Sequence, residues 1–180
     1  MQTHELVPHP AHPPLQVRRM EARVLSIGEA WVRLRWRVDG VGKLVIPKFG
    51  GKGRADGLWN TTCFEAFTRP PNGDAYTEFN FSPSERWAAY EFASRREGME
   101  QRPMVREPDC TMRVGLATAI FDAAVPRISF PDPPASVGLC AVIEEEGGVK
   151  SYWALRHGGD EPDFHDPACF TANLGPPKPL

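Results

Sequence analysis

Three glutamates stand where strands could bring them together: Glu65 in FEAF, Glu78 in TEFNF and Glu91 in YEF. Each lies in a run that alternates apolar with polar residues, the pattern of a strand whose side chains change face at every step. Carboxylates on one sheet face can accept hydrogen bonds from ligand hydroxyls or hold a cation. They can also act as acid and base in glycoside cleavage, which needs about 5 to 10 Å between them and unequal pKa values. Turns centred on Asn72-Gly73 and Ser84-Glu85 pair Phe67 with Glu78, Glu65 with Asn80, Glu78 with Glu91 and Asn80 with Ala89. Glu78 then opposes Glu91 directly, and like charges opposed in a ladder repel unless something neutralises them. Arg33, Arg35 and Arg37 on an earlier strand are one expected source of that charge, and Arg95 and Arg96 are another.

In this register the meander sorts into two faces. Phe64, Ala66, Phe79, Phe81, Ala88, Tyr90 and Phe92 form an apolar set fit for half of a core. Cys63, Glu65, Phe67, Tyr76, Glu78, Asn80, Trp87, Ala89 and Glu91 form the other face. The expected ligand-binding set is therefore Trp87, Glu65, Glu78, Asn80 and Glu91, with Arg33, Arg35 and Arg37 as cationic partners. Carboxylates, an amide, guanidinium groups and an indole make a sugar site, where the ring stacks and the polar groups fix hydroxyls. Trp59 and Trp153 are further stacking candidates. Neighbouring glutamates in one sheet are too close and too symmetric for a glycosidase pair, so no catalytic residue is assigned.

The elements that must position these residues read as strands. The chain has 180 residues, enough for one domain, and its 19 prolines and 16 glycines suit frequent turns better than a helical bundle. WVRLRWRV is the clearest strand, with Val32, Leu34, Trp36 and Val38 on one face and Trp31, Arg33, Arg35 and Arg37 on the other. Asp39-Gly40 predicts a hairpin turn, with GKLVIP as the returning strand. Further strands are expected at 62–68, 76–82, 87–92, 113–120, 137–143, 149–155 and 170–174, and a weak helical hint covers 94–99. Residues 1–14, rich in Pro and His, predict an extended arm, with a single domain over 15–180. The expected class is all-β, a two-sheet antiparallel sandwich.

A net charge of -2 gives no field for nucleic acid or an anionic membrane surface, and no apolar run approaches the length of a membrane span. The N-terminus has no apolar core of a secretion signal, so the expected location is cytoplasmic. Cys63, Cys110, Cys140 and Cys169 include no C-x-x-C pair, and four buried reduced thiols are expected. FGGKGRADG lacks the order of a phosphate loop, and no G-x-S-x-G or H-E-x-x-H is present. PDFHDPAC gathers Asp163, His165, Asp166 and Cys169, but its mixed ligands fit no standard metal site, calcium coming nearest. Asp163 and Asp166 are expected to start turns there.

The stretch from Leu58 to Phe92, above all FEAF, YTEFNFSP and WAAYEF, resembles the DOMON-like domains and, more distantly, family nine carbohydrate-binding modules. SYWAL and PDFHDPACFTANL look like the end of the same bacterial DOMON-like group. The resemblance implies a β-sandwich close to a jelly roll, whose relatives bind sugars or a b-type haem. It makes a sugar or other small molecule the expected partner of a non-catalytic domain, with no cofactor. The alternative is a haem-binding electron carrier drawing axial ligands from Met99, Met104, His157 or His165.

Overall fold

The computed structural model describes residues 2–175 of the chain. It contains thirteen strands and, among the described residues, no α-helix, only four single 3-10 turns. In chain order the strands are β1 (Thr3–Pro8), β2 (Arg19–Ile27), β3 (Trp31–Asp39), β4 (Gly53–Arg54), β5 (Cys63–Arg69), β6 (Tyr76–Phe81) and β7 (Arg86–Phe92). They continue with β8 (Glu100–Gln101), β9 (Asp109–Val114), β10 (Thr118–Pro126), β11 (Ala135–Glu145), β12 (Val149–Ala154) and β13 (Ala172–Leu174). The all-β class holds. In place of two separate sheets, however, the strands form one hydrogen-bonded succession that curls on itself, β4-β7-β6-β5-β11-β12-β1-β2-β3-β10-β9, with β13 on β11 and β8 on β7.

The join is β1. Its residues Thr3 to Leu6 pair with β2, while Val7 and Pro8 pair with Ala154 and Trp153 of β12. The segment expected to be an arm is thus extended, but it is the strand that couples the two halves of the sheet. It is held at its far end by Glu145, whose buried carboxylate accepts from the backbone N–H groups of Leu15 at 2.6 Å, Gln16 at 2.7 Å and Val17 at 3.0 Å.

Curling brings the inner faces of the halves together. Val32, Leu34, Trp36 and Val38 of β3 and Ala119, Phe121, Ala123 and Val125 of β10 are buried against Phe64, Phe79 and Phe81 of the other half. The rings of Phe64 and Phe121 stack with centroids 4.2 Å apart, and Trp36 packs 5.6 Å from Phe64. Each such fully buried side chain contributes about 1.5–3 kcal/mol of hydrophobic free energy, so this seam holds the curl closed.

Asp39-Gly40 does supply turn chemistry, since Gly40 has φ 90° and an added Cβ would lie 2.3 Å from the Gln16 carbonyl oxygen. The chain does not fold back there. β3 takes its hairpin partner from β2 before it, and the chain beyond Gly40 crosses to the other half, where Leu44 bridges Glu145. The stretch 113–120 divides into β9 and β10, and the helical hint at 94–99 is a turn closed by the Glu97 N–H on the Ser94 carbonyl at 3.0 Å.

Register decides the site. Between β5 and β6 the pairs are those expected, Glu65 with Asn80 and Phe67 with Glu78. Between β6 and β7 they differ by one residue: Glu78 pairs with Tyr90, and Glu91 with Thr77. The cause is the connection, three residues long rather than two. Ser82 N–H bonds the Arg86 carbonyl at 2.9 Å across Pro83, Ser84 and Glu85, with Glu85 in the left-handed region at φ 66°. A one-residue change turns a strand over, so Ala88, Tyr90 and Phe92 join the face of Glu78 while Trp87 and Ala89 turn into the core.

Candidate functional site

The face carrying Glu65 and Glu78 is not a solvated sheet surface. A second apolar layer lies on it, where Phe67, Tyr76, Tyr90 and Phe92 meet Leu58, Phe164 and Phe170 from two connecting segments. The longer segment, 155–171, folds by short-range rules. Asp163 accepts from the His165 N–H at 3.0 Å, and Asp166 caps the turn Pro167–Cys169 by accepting from the Ala168 N–H at 2.8 Å. Both aspartates start turns, as their position beside proline implies. The segment is then clamped from outside. Arg95 and Arg96 each contact Asp163, at 2.6 and 2.8 Å, and Arg95 also reaches Asp166 at 3.0 Å.

Between this cover and the sheet remains a cavity of 380 Å³, within the range of about 300–1,000 Å³ usual for small-molecule sites. Glu65 and Glu78, 3% and 5% exposed, form its floor. Trp59, Phe92, Tyr152 and Phe164 supply aromatic wall, and Arg96, Met99 and Lys150 stand at its edge. Trp59 is 40% exposed, with its ring 6.2 Å from that of Tyr90. It is presented by the 3-10 turn Leu58–Asn60, which Gly57 at φ 70° makes possible.

A chain of hydrogen bonds orders the floor. The Arg96 N–H donates to the Tyr76 oxygen at 3.1 Å, and the phenol proton is satisfied by Nδ1 of His165 at 2.7 Å, the one acceptor within its reach among the described residues. That fixes the imidazole proton on Nε2, which faces Oε2 of Glu78 at 3.6 Å. The other oxygen of Glu78 accepts from the Asn80 amide at 2.8 Å, leaving Oδ1 of Asn80 without a partner. Glu65 makes no hydrogen bond or ion pair with any described residue, and its carboxyl lines the cavity.

Burial raises the carboxyl of Glu78 to about 7, against the donation from Asn80 and the charge of Arg96. Burial together with the charge of Glu78 pushes Glu65 well above the usual carboxylate range. Burial, then the charge of Arg96, lowers His165 to about 4. At mildly acidic pH the floor therefore holds its proton on carboxyl oxygen rather than on imidazole.

Of the residues expected at the site, the structure brings together Glu65, Glu78 and Asn80, the last behind Glu78. Trp87 is not with them; it lies 4% exposed in the core, with the Arg54 guanidinium 4.6 Å over its ring. Glu91 is also on the reverse face, paired with Arg102. Arg33, Arg35 and Arg37 lie on the outside of the opposite half. There Arg35 grips Asp122 at 2.6 and 2.9 Å and Arg37 bonds Asp39 at 3.1 Å. The physical reason is one of sides: β3 gives its Trp36 face to the common core, so its arginines point away from the meander. Of the two expected sources of positive charge it is Arg96 whose charge acts on the glutamates, through space and without an ion pair to either.

Trp153 is a core residue, its Nε1 donating to Ser151 Oγ at 2.9 Å. Met99 and His165 line the cavity, whereas Met104 packs on Ser129 and His157 donates to the Val7 carbonyl at 3.0 Å. Among the described residues no cluster of three or more His, Cys, Asp or Glu side chains could hold a metal ion. All four cysteines are buried and unpaired. Sequence reasoning missed Tyr152, Phe164 and Lys150, which carry no motif and enter only because β12 and the docked segment meet over β5 and β6.

No protein-family model matches the chain, and no curated protein matches it in sequence. Its fold is found in solved structures. A candidate carbohydrate-binding protein from Bacteroides uniformis superposes with a TM-score of 0.65 at 15% identity, over 94% of this chain and 84% of that one. A family 9 carbohydrate-binding module from Caldicellulosiruptor kristjanssonii, in complex with glucose, superposes with a TM-score of 0.52 at 6% identity, over 83% of this chain and 73% of that one.

Proposed function

We propose that this protein is a non-catalytic carbohydrate-binding domain that takes a sugar in the cavity above Glu65 and Glu78. The observation that carries the reading is the cavity's construction. One half-exposed indole, Trp59, and the ring of Tyr152 offer stacking surface, while buried carboxyls below and the cations Arg96 and Lys150 above offer hydrogen bonds to hydroxyls. The likeness of fold to the two carbohydrate-binding structures supports it. We read the curled sheet as a jelly-roll-like sandwich of the DOMON and carbohydrate-binding-module type, and four free thiols suit a reducing cytoplasmic setting. A glycosidase reading has less support, because Glu91 lies on the reverse face and Glu65 and Glu78 sit on adjoining strands of one ladder.

Calorimetric titration with mono- and oligosaccharides tests the proposal. Binding in the wild type, weakened by Trp59→Ala and untouched by substitutions on the outer face of β3, is the expected result. Silence toward the whole panel overturns it.

A further inference from the structure

The floor of the cavity has two carboxyls and no cation of its own. Six ionisable side chains line the space: Glu65, Glu78, Arg96, Lys150, Tyr152 and His165. Arg96 directs its guanidinium outward to Asp163, at 2.8 Å. Lys150 stands across from Glu144 in the β11–β12 ladder. The remaining groups packed around the floor bring no cationic donor into contact with the carboxyls either. His165 is held neutral by its buried position, and Tyr76 is occupied with it. Tyr90 donates to Asp56 at 2.6 Å, and burial raises the thiols of Cys63 and Cys140.

Glu65 is the telling residue. It is a carboxyl 3% exposed that lines the cavity and has no donor among the described residues. A buried carboxylate left in this state is costly, and the cost disappears when a proton or a cationic donor arrives. The proton is the resident solution, as the raised carboxyls of Glu65 and Glu78 show. A ligand that brings its own ammonium can replace one of these protons, with a charge-assisted hydrogen bond to the carboxylate so formed and an ordinary one to the carbonyl oxygen of the carboxyl that keeps its proton, and without the penalty of an unpaired charge. The aromatic wall that receives a sugar ring also favours a cation near its faces.

Resting on the sugar reading of this cavity, we infer that its preferred ligand is an amino sugar with a free amine, the ammonium seated on Glu65 and Glu78 and the ring against Trp59. The exchange balances as one ammonium in and one proton out. The carboxyl proton is released to solvent, the amine keeps its own, and no covalent bond forms or breaks.

Glucosamine, N-acetylglucosamine and glucose, titrated calorimetrically at pH 6 in two buffers of different ionisation enthalpy, test the inference. Glucosamine is expected to bind at least about tenfold more tightly than the other two. It should release close to one proton, while the neutral sugars release none. Glu65→Gln, which keeps the shape and removes the charge, should bring the affinity ratio of glucosamine to glucose toward one. Glu78→Gln gives a second reading of the same ratio. If glucose binds as well as glucosamine and no proton is released, the ammonium site is overturned and the sugar reading stands. If none of the three binds, the sugar reading falls and the inference falls with it.

Discussion

Tyr76 and His165 are joined by a hydrogen bond of 2.7 Å in which the phenol donates to Nδ1, the one acceptor within reach of its proton among the described residues, while the phenol oxygen accepts from the Arg96 N–H at 3.1 Å. One bond ties β6 to the segment that roofs the cavity and selects the imidazole tautomer that faces Glu78. Tyr76→Phe removes both partners' connection, leaving an imidazole nitrogen and a backbone N–H unpaired in a half-buried place. A loss of about 1–3 kcal/mol is expected by urea denaturation. Weaker ligand binding should accompany it, since the roof loses a tether. Unchanged stability would mean the roof is held by Arg95 and Arg96 alone.

The raised carboxyl of Glu78 makes stability depend on pH in a definite sense. Between the ordinary value of 4.5 and about 7, the native protein holds a proton that the unfolded chain has released, so stability falls as pH rises through this window. Glu65 acts in the same direction. His165 acts oppositely, because between about 4 and 6.5 the unfolded imidazole is protonated and the native one is not, so its contribution grows with pH. Each group contributes at most about 1.4 kcal/mol per pH unit, and the two carboxyls outweigh the one imidazole. Glu78→Gln removes one falling contribution. Its stability relative to wild type should therefore improve between pH 4.5 and pH 8, as read from denaturant midpoints. Parallel curves for the two proteins would show that Glu78 titrates normally.

Trp59 and Trp87 exchange the roles that strand alternation alone assigns them. Trp87 packs in the core beside Phe81, so Trp87→Ala should cost about 3–5 kcal/mol by leaving a cavity there. Trp59 stands half exposed at the ligand cavity. Trp59→Ala should shift the melting temperature little and weaken sugar binding about tenfold through lost stacking. Parallel thermal melts and titrations of the two variants check both halves of this statement.

How this arrangement relates to the sequence can be traced through single residues. Val32, Leu34, Trp36 and Val38 alternate without a break, so one face of β3 had to be core, and it is. Asn72-Gly73 marks the β5–β6 turn, and Glu65, Glu78 and Asn80 fall together as that turn requires. The next turn carries no such mark. Glu85 adopts a left-handed conformation that glycine or asparagine would signal, and a glutamate there conceals the third loop residue that turns β7 over. The curl through β1 and the docking of 155–171 depend on pairings between residues about 130 to 150 positions apart. Local pattern holds no record of these. For the same reason Arg96 could be named beside Arg33, Arg35 and Arg37 but not chosen over them.

That choice is itself testable. Arg35 holds Asp122 on the outer surface of the first half, with Arg113 on the same carboxylate at 2.6 Å. Replacing Arg33, Arg35 and Arg37 together by Gln should leave sugar titrations unchanged. Stability should drop by no more than about 1–2 kcal/mol, the range of a few partly exposed ion pairs. Arg96→Gln, by contrast, removes a charge that lowers the carboxyls of both Glu65 and Glu78. It should raise the pH at which ligand binding is half lost. A binding defect confined to the triple variant would move the site to the other half of the sheet.

Glu145 holds the seam that makes the curl possible. Its carboxylate is fully buried at the end of β11 and accepts three backbone N–H groups from Leu15, Gln16 and Val17, the residues that lead from β1 into β2. Those three donors have no other partner among the described residues, so Glu145→Ala strands them in a dry environment, each at a cost of about 1–3 kcal/mol before relaxation. Relaxation and water entry reduce the total, and a loss of about 3–5 kcal/mol is expected by denaturant unfolding. Glu145→Gln keeps one oxygen acceptor but places an NH₂ against an N–H, so it should recover only part of that loss. Hydrogen exchange adds a spatial reading. Amides of β1 should exchange faster in both variants while those of β5 and β6 stay protected, because among the described residues β1 is the only strand that pairs with both halves of the sheet. Uniform loss of protection across all strands would instead show that the two halves unfold as one unit from the start, with β1 no weaker than the core it joins.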